Sequence, residues 1–199
     1  MTSTSNQARQ RVPAAERRDA LIAAAIEEFA LGGLHGTPVD RIARRVGVAQ
    51  PYVFSLFPTK RDLFIAAVER GFEAVMDLFE QSAEEFRRSN PEGSYDREDL
   101  LGWIGDSYID RLATNRSNLM FQLQAYAACN DQTIRERVNA AYERLGEHIG
   151  KITGATEDEV NEFLSHGMWL NVQAAIGRGD LGAACDWIRR RREADAAGG

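Results

Sequence analysis

Apolar residues recur along this chain with the spacing of one helical face, and no stretch of useful length shows the alternation of a strand. Leu21, Ile22, Ala25, Ile26 and Phe29 form the first stripe, which predicts a helix from Pro13 to about Leu31, stopped by Gly32-Gly33. Thr37-Pro38 predicts the start of a second helix that runs to Val46, with the Thr37 hydroxyl accepting from an orphan amide and proline in first position. A third helix is expected over residues 50–57, where Pro51 is tolerated because a first-turn N–H has no bond to lose. Thr59 is placed to cap a long fourth helix over residues 60–88, with Leu63, Phe64, Val68, Phe72, Val75 and Phe79 on one face. Beyond the turn-rich residues 89–96, helices are expected at about 97–114, 116–129, 132–152, 157–176 and 181–192. The pattern predicts an all-α chain of about nine helices with polar tails at residues 1–12 and 193–199.

Residues 37–57 carry the most specific spacing. Ala43 is small where a second helix must cross close above it, and Gly47 supplies the left-handed turn that a sharp stop between two helices needs. Val48 packs under that turn, and Val53 and Leu56 put an apolar stripe on the helix that follows. This is the pattern of a helix-turn-helix, a device for placing a short helix in the major groove of DNA.

Charge at first argues against that reading, since the 199 residues carry a net charge of −6. Cutting the chain after Arg61 reverses the objection. Residues 1–61 hold nine Lys or Arg and five Asp or Glu, a balance of +4, and the remaining residues carry −10. A basic head on an acidic body fits a nucleic-acid partner at one end. The 44% hydrophobic content suffices for a proper core. Cys129 and Cys185 show no disulfide or zinc spacing, and no leader or membrane-span pattern is present, so a cytoplasmic protein is expected.

The chain resembles the TetR/AcrR family of transcriptional regulators. The resemblance is carried by Thr37-Pro38-Val39-Asp40-Arg41-Ile42-Ala43, by Gly47-Val48-Ala49 and by Phe57-Pro58-Thr59-Lys60-Arg61-Asp62-Leu63, with a weaker echo in Gly167-Met168-Trp169-Leu170-Asn171-Val172. The match extends over about residues 15–70. Two positions depart from the family pattern: Ala49 stands where Ser or Thr is usual, and Phe54 where Tyr is usual, which removes an expected phosphate contact that Tyr52 could supply. The resemblance implies a head at residues 13–59 and a ligand-binding, dimerising body at 60–192.

For DNA, Gln50 is a candidate to pair with adenine, Pro51 to pack on a thymine methyl, and Tyr52 and Phe54 to meet a base or the backbone. Thr37 and Lys60, at helix starts, are candidate phosphate contacts, while Arg44 and Arg45 either flank the backbone or are solvated surface charge. Arg9 and Arg11 lie in the polar tail, from which a basic arm could reach a minor groove. In the body, Trp103, Tyr108, Met120, Phe121, Gln124 and Trp169 are candidates to line an effector cavity, and equally candidates for plain core. Gly167, Asn171, Ala174 and Ala175 make a small-residue stripe which, with Trp187 and Ile188, is expected to form a twofold dimer contact.

The expected protein is a repressor that leaves a palindromic operator when a small, largely apolar effector binds its body. An activator or DNA-compacting protein with the same head is the alternative, and a helical enzyme a distant one. Enzyme chemistry fits poorly: Asp106 with Asp110, and Glu157, Asp158, Glu159 with Glu162, have no neighbouring His in sequence. His35, His148 and His166 show no metal-ligand spacing, so no metal or cofactor is expected.

Overall fold

A computed structural model describes residues 13–178, apart from 92 and 94, and within them the chain is all-α. Eight helices follow in order: α1 (Ala14–Gly36), α2 (Val39–Val46), α3 (Gln50–Leu56), α4 (Lys60–Ser89), α5 (Arg97–Thr114), α6 (Arg116–Ala127), α7 (Gln132–Thr153) and α8 (Glu157–Ala175). The helix expected over residues 181–192, with Cys185, Trp187 and Ile188, lies outside the described residues, as do Arg9 and Arg11. Among the described residues no helix is long and apolar enough to cross a membrane, and no group of His, Cys, Asp or Glu could hold a metal ion.

The first helix breaks where the sequence predicts, at Gly32-Gly33: Gly33 adopts φ 61° and ψ −173°, outside helical geometry, and a short helical turn then runs on to Gly36 in a new direction. That conformation is essentially open to glycine alone. After the kink, Leu34 remains buried against the core. Gly47 closes α2 in the left-handed region at φ 72°, and the Val48 amide donates back to the Ala43 carbonyl at 3.0 Å. Ile42 and Ala43 are fully buried and Val53 is 1% exposed, so the crossing of α2 and α3 is fixed by contact of small and β-branched side chains.

The packing ties head to body. α1 lies along α6 as well as α4, and α4 runs on to pack against α5 and α7. One hydrophobic cluster therefore extends without a break from Leu21 in α1 to Leu170 in α8. At its centre three rings from three helices meet: Phe29 and Phe64 at 4.9 Å between centroids, and Phe121 at 5.4 Å from Phe64 and 6.3 Å from Phe29. Each fully buried phenylalanine contributes about 2–3 kcal/mol by leaving water.

The starts of the helices fall into two groups. α4, α5, α6, α7 and α8 each have a side-chain cap, from Thr59, Asp96, Asn115, Asp131 and Thr156. Three of these are reciprocal boxes in which Asp62, Asp99 or Glu159 reaches back to the cap residue's amide. α1, α2 and α3 have no side-chain cap. The expected Thr37 cap on α2 is thus corrected: the Thr37 hydroxyl, 1% exposed, donates instead to the Glu28 carbonyl at 3.1 Å.

Candidate nucleic-acid interface and body cavity

α3 is held from beneath by Val53 and presents its first turn outward. Gln50 and Pro51 are exposed, Tyr52 is half-buried with the Arg17 guanidinium 5.8 Å from its ring centre, and Phe54 is 38% exposed. This turn has no side-chain cap, but Pro51 has no N–H and the Tyr52 amide donates to the Ala49 carbonyl at 2.9 Å, so its side chains and not its amides are what it offers. An exposed glutamine, proline and aromatic ring make a surface able to meet base edges.

The other residues expected at this surface have prior engagements of different kinds. Thr37 is buried, so a direct side-chain contact with phosphate is excluded by its burial. Lys60 Nζ donates to the His35 and Thr37 carbonyls at 3.3 and 3.2 Å, which pins the start of α4 to the turn before α2 and leaves one ammonium proton over. At the start of α4 the capping box serves the amides of Asp62 and Thr59, and Lys60 adds its own charge beside them. Arg44 pairs with Asp40 at 2.8 Å on the open surface, 73% exposed. Arg45 reaches back to Glu27 and to Glu28, the latter at 3.1 Å.

Glu28 is the residue that sequence reasoning missed. Its side chain is 6% exposed, yet it is a carboxylate, and it draws Arg41 at 3.5 Å and Arg45 at 3.1 Å from α2 onto α1. Burying a carboxylate without partners is costly, so these arginines orient α2 on α1 as well as adding charge. The signal was present: Glu28 stands seven residues after Leu21, on the apolar side of the first helix.

The body encloses a cavity between α4, α5, α6, α7 and α8. Of the six candidates, Tyr108 and Phe121 stand in its wall, and four do not. Trp103 lies outside, 40% exposed and packed on Phe86 at 5.7 Å. Trp169 points away, 42% exposed and stacked on His166. Met120 is on the side of α6 away from the wall, packed against the core. Gln124 faces α1, its Oε1 only 2.6 Å from where a Cβ on Gly33 would sit.

Hydrogen bonds cross the cavity wall. The Tyr108 hydroxyl has Asn171 Oδ1 at 2.9 Å and Gln122 Oε1 at 3.2 Å, and Gln122 Nε2 donates to the Tyr126 hydroxyl at 2.8 Å. Burial raises the pKa of Tyr108, and its bonds to Asn171 and Gln122 and the charge of Arg111 oppose the rise. Asn171, expected on the dimer face, is therefore corrected to an interior position, 2% exposed. Gly167 borders the cavity as well. Ala174 and Ala175 are half-buried, and their carbonyls accept from Arg116 at 3.3 and 3.1 Å. The apolar side chains that α8 does expose are Trp169, Val172 and Ile176, at helical spacing.

Comparison with known proteins agrees with this geometry. The family model for bacterial regulatory proteins of the tetR family matches residues 21–67. The chain is 38% identical over 65 residues to the HTH-type transcriptional activator FasR of Mycolicibacterium smegmatis, an alignment covering 33% of this chain and 30% of that protein. It is 30% identical over 71 residues to the HTH-type transcriptional regulator RutR of Escherichia coli, covering 36% and 32%. The matched segment thus spans about a third of the length of these relatives. The fold extends further. A TetR-like transcriptional regulator from Rhodococcus sp. RHA1 superposes with a TM-score of 0.69 at 19% identity, over 95% of this chain and 100% of that one. FadR from Bacillus subtilis, solved with stearoyl-CoA, gives 0.69 at 16% identity over 85% and 94%. The head thus matches the tetR family model in sequence, and the chain as a whole is similar in fold to a TetR-like transcriptional regulator of known structure.

Proposed function

We propose that this chain is a ligand-responsive, DNA-binding transcriptional regulator working as a homodimer. The division of labour follows residues 13–59 as a DNA head and 60–192 as a ligand-binding, dimerising body. The carrying observation is the first turn of α3, with Gln50, Pro51 and Phe54 exposed above a buried Val53. Gln50, Pro51, Tyr52 and Phe54 read or touch base edges, and Lys60 with Arg44 and Arg45 meets phosphates. A second copy packs on the exposed Trp169, Val172 and Ile176 of α8, together with residues that follow, so two heads address half-sites about 34 Å apart or somewhat more.

Ligand control has a continuous path. Phe121 and Gln122 of α6 stand in the cavity wall, the Phe121 ring packs on Phe29 and Phe64, and Gln124 of the same helix touches the α1 kink at Gly33. Arg61, in the first turn of α4 just after the head, bonds Asp131 at the α6–α7 turn at 3.2 Å and ties the helix that carries the head to α6. A ligand that shifts α6 moves both attachments of the head, and a preference of about 10⁴-fold for the released form empties the operator almost completely. Repression is the direct consequence of a head occupying promoter DNA. Activation is the second reading, favoured by the 38% identity of the head to a protein named an activator.

The experiment is selection of duplexes from random DNA by the full chain, followed by anisotropy titrations of the selected and a scrambled sequence. Specific binding at least about 10³-fold tighter is expected. Equal affinity for the two duplexes would overturn the reading, and transcription in vitro from a promoter carrying the selected site separates repression from activation.

A further inference from the structure

The charge lining the body cavity is one-sided. α4 contributes Val68, Phe72, Val75 and Phe79 and no polar side chain, while the polar groups stand on the helices that face it. Among the described lining residues there is no aspartate and no glutamate, and Arg111 is a permanent cation. A ligand cation entering here would lose its water without gaining a carboxylate, whereas an anion meets a guanidinium.

Three further observations bear on the same end of the cavity. Arg111 carries no ion pair among the described residues, so its charge is not already spent on a carboxylate. It lies close enough to Tyr108 to pull the hydroxyl's pKa back against the upward push of burial. Tyr108 has one proton and two amide oxygens in reach, Asn171 Oδ1 at 2.9 Å and Gln122 Oε1 at 3.2 Å. One O–H serves a single acceptor at a time, so this band is held by exchangeable bonds that can re-pair around an entering oxygen.

We propose that the cavity takes an amphipathic anion, with an apolar chain along Phe72, Val75 and Phe79 and an acidic head group held by Arg111 beside Tyr108 and Asn171. The inference rests on reading the cavity as the effector site. It narrows the ligand to one charge class: a permanent cation of the same length meets the like charge of Arg111 and no carboxylate in the described wall, and so binds more weakly.

The test uses three probes of one chain length, dodecanoate, dodecan-1-ol and dodecylammonium, each below its micelle-forming concentration. They are titrated calorimetrically into the full chain at neutral pH. Dodecanoate is expected to bind at least about 10-fold tighter than dodecylammonium. Arg111→Gln should weaken dodecanoate by about 10-fold while changing dodecan-1-ol by less than about 2-fold, which also shows that the variant is folded. Arg144→Gln, at an exposed position on α7, removes the same net charge and should change neither. Dodecylammonium binding as tightly as dodecanoate would overturn the charge assignment and leave the cavity standing as the effector site. An equal loss in the Arg111 and Arg144 variants would do the same, by assigning the effect to overall charge. Absence of saturable binding by all three probes would overturn both readings.

Discussion

The helices of the head and those of the body begin differently, and the difference follows what each region has to meet. Among the described residues every body helix, with α4, has a side-chain cap from the same chain: Thr59, Asp96, Asn115, Asp131 or Thr156. The helices of the head have none, and α3 presents its first turn outward with Gln50 and Pro51 exposed. A cap of this kind is worth about 1 kcal/mol, so the head forgoes stability at the turn that has to fit a partner. The body does the reverse. Its described helix starts carry caps, and its unclaimed capacity lies inside, as a cavity with Arg111 and exchangeable hydrogen bonds in the wall. Comparison with known proteins runs parallel: the head retains 30–38% identity to named regulators, whereas fold neighbours matched over nearly the whole chain share 16–19%. A surface that must fit one invariant backbone, DNA, constrains sequence more than an interior that has only to leave room.

The contrast is most directly broken at the residue both regions share. Phe121→Ala removes a ring that touches Phe29 and Phe64 and also stands in the cavity wall, and should destabilise the chain by about 3–5 kcal/mol in urea unfolding. If head and body were independent, the loss would instead be confined to one of two separable transitions. Gly33→Val comes next, at about 1–3 kcal/mol for the forced backbone conformation plus the collision with Gln124. Combining it with Gln124→Ala should recover part of that loss; strict additivity would show that the two residues do not meet.

Two measurements sharpen the DNA side. Gln50→Ala should cost about 1–3 kcal/mol at one base position and little elsewhere, whereas Lys60→Ala should weaken all duplexes alike and lower the salt slope by about 1. Identical profiles for the two variants would assign Gln50 to the backbone.

The smallest effect concerns the capped ends. Glu159 is held down to about 2 by the Thr156 amide and hydroxyl and then by Arg97. Because the folded value lies below the ordinary 4.5, the contribution is present above that range and is lost as pH falls from about 4.5 toward 2. A carboxyl-carbon NMR titration should place the Glu159 midpoint near 2, and a midpoint near 4.5 would mean that the box is open in solution.

What the sequence determined by itself was whatever depends on neighbours along the chain. The apolar period set the eight described helices to within a few residues, Gly47 set the turn between α2 and α3, and Thr59 set the start of α4. The head was legible because its packing rule and its exposed turn both fall within twenty residues. The tertiary structure decided what depends on which side of a helix meets which other helix. Gly33 reads in sequence as a stop and does break the helix, but only the fold puts Gln124 of α6 against that break. Asn171 reads as one of a row of small residues on an outer face, but turns inward because Tyr108, sixty-three positions away, offers it a hydrogen bond. Trp103 and Trp169 read by their size as cavity lining or plain core, yet both are part-exposed and lie outside the cavity wall, since spacing reports that a helix has an apolar face without saying which partner that face will find. Glu28 reads as ordinary helical charge until Arg41 and Arg45 arrive from the next helix to make its burial tolerable.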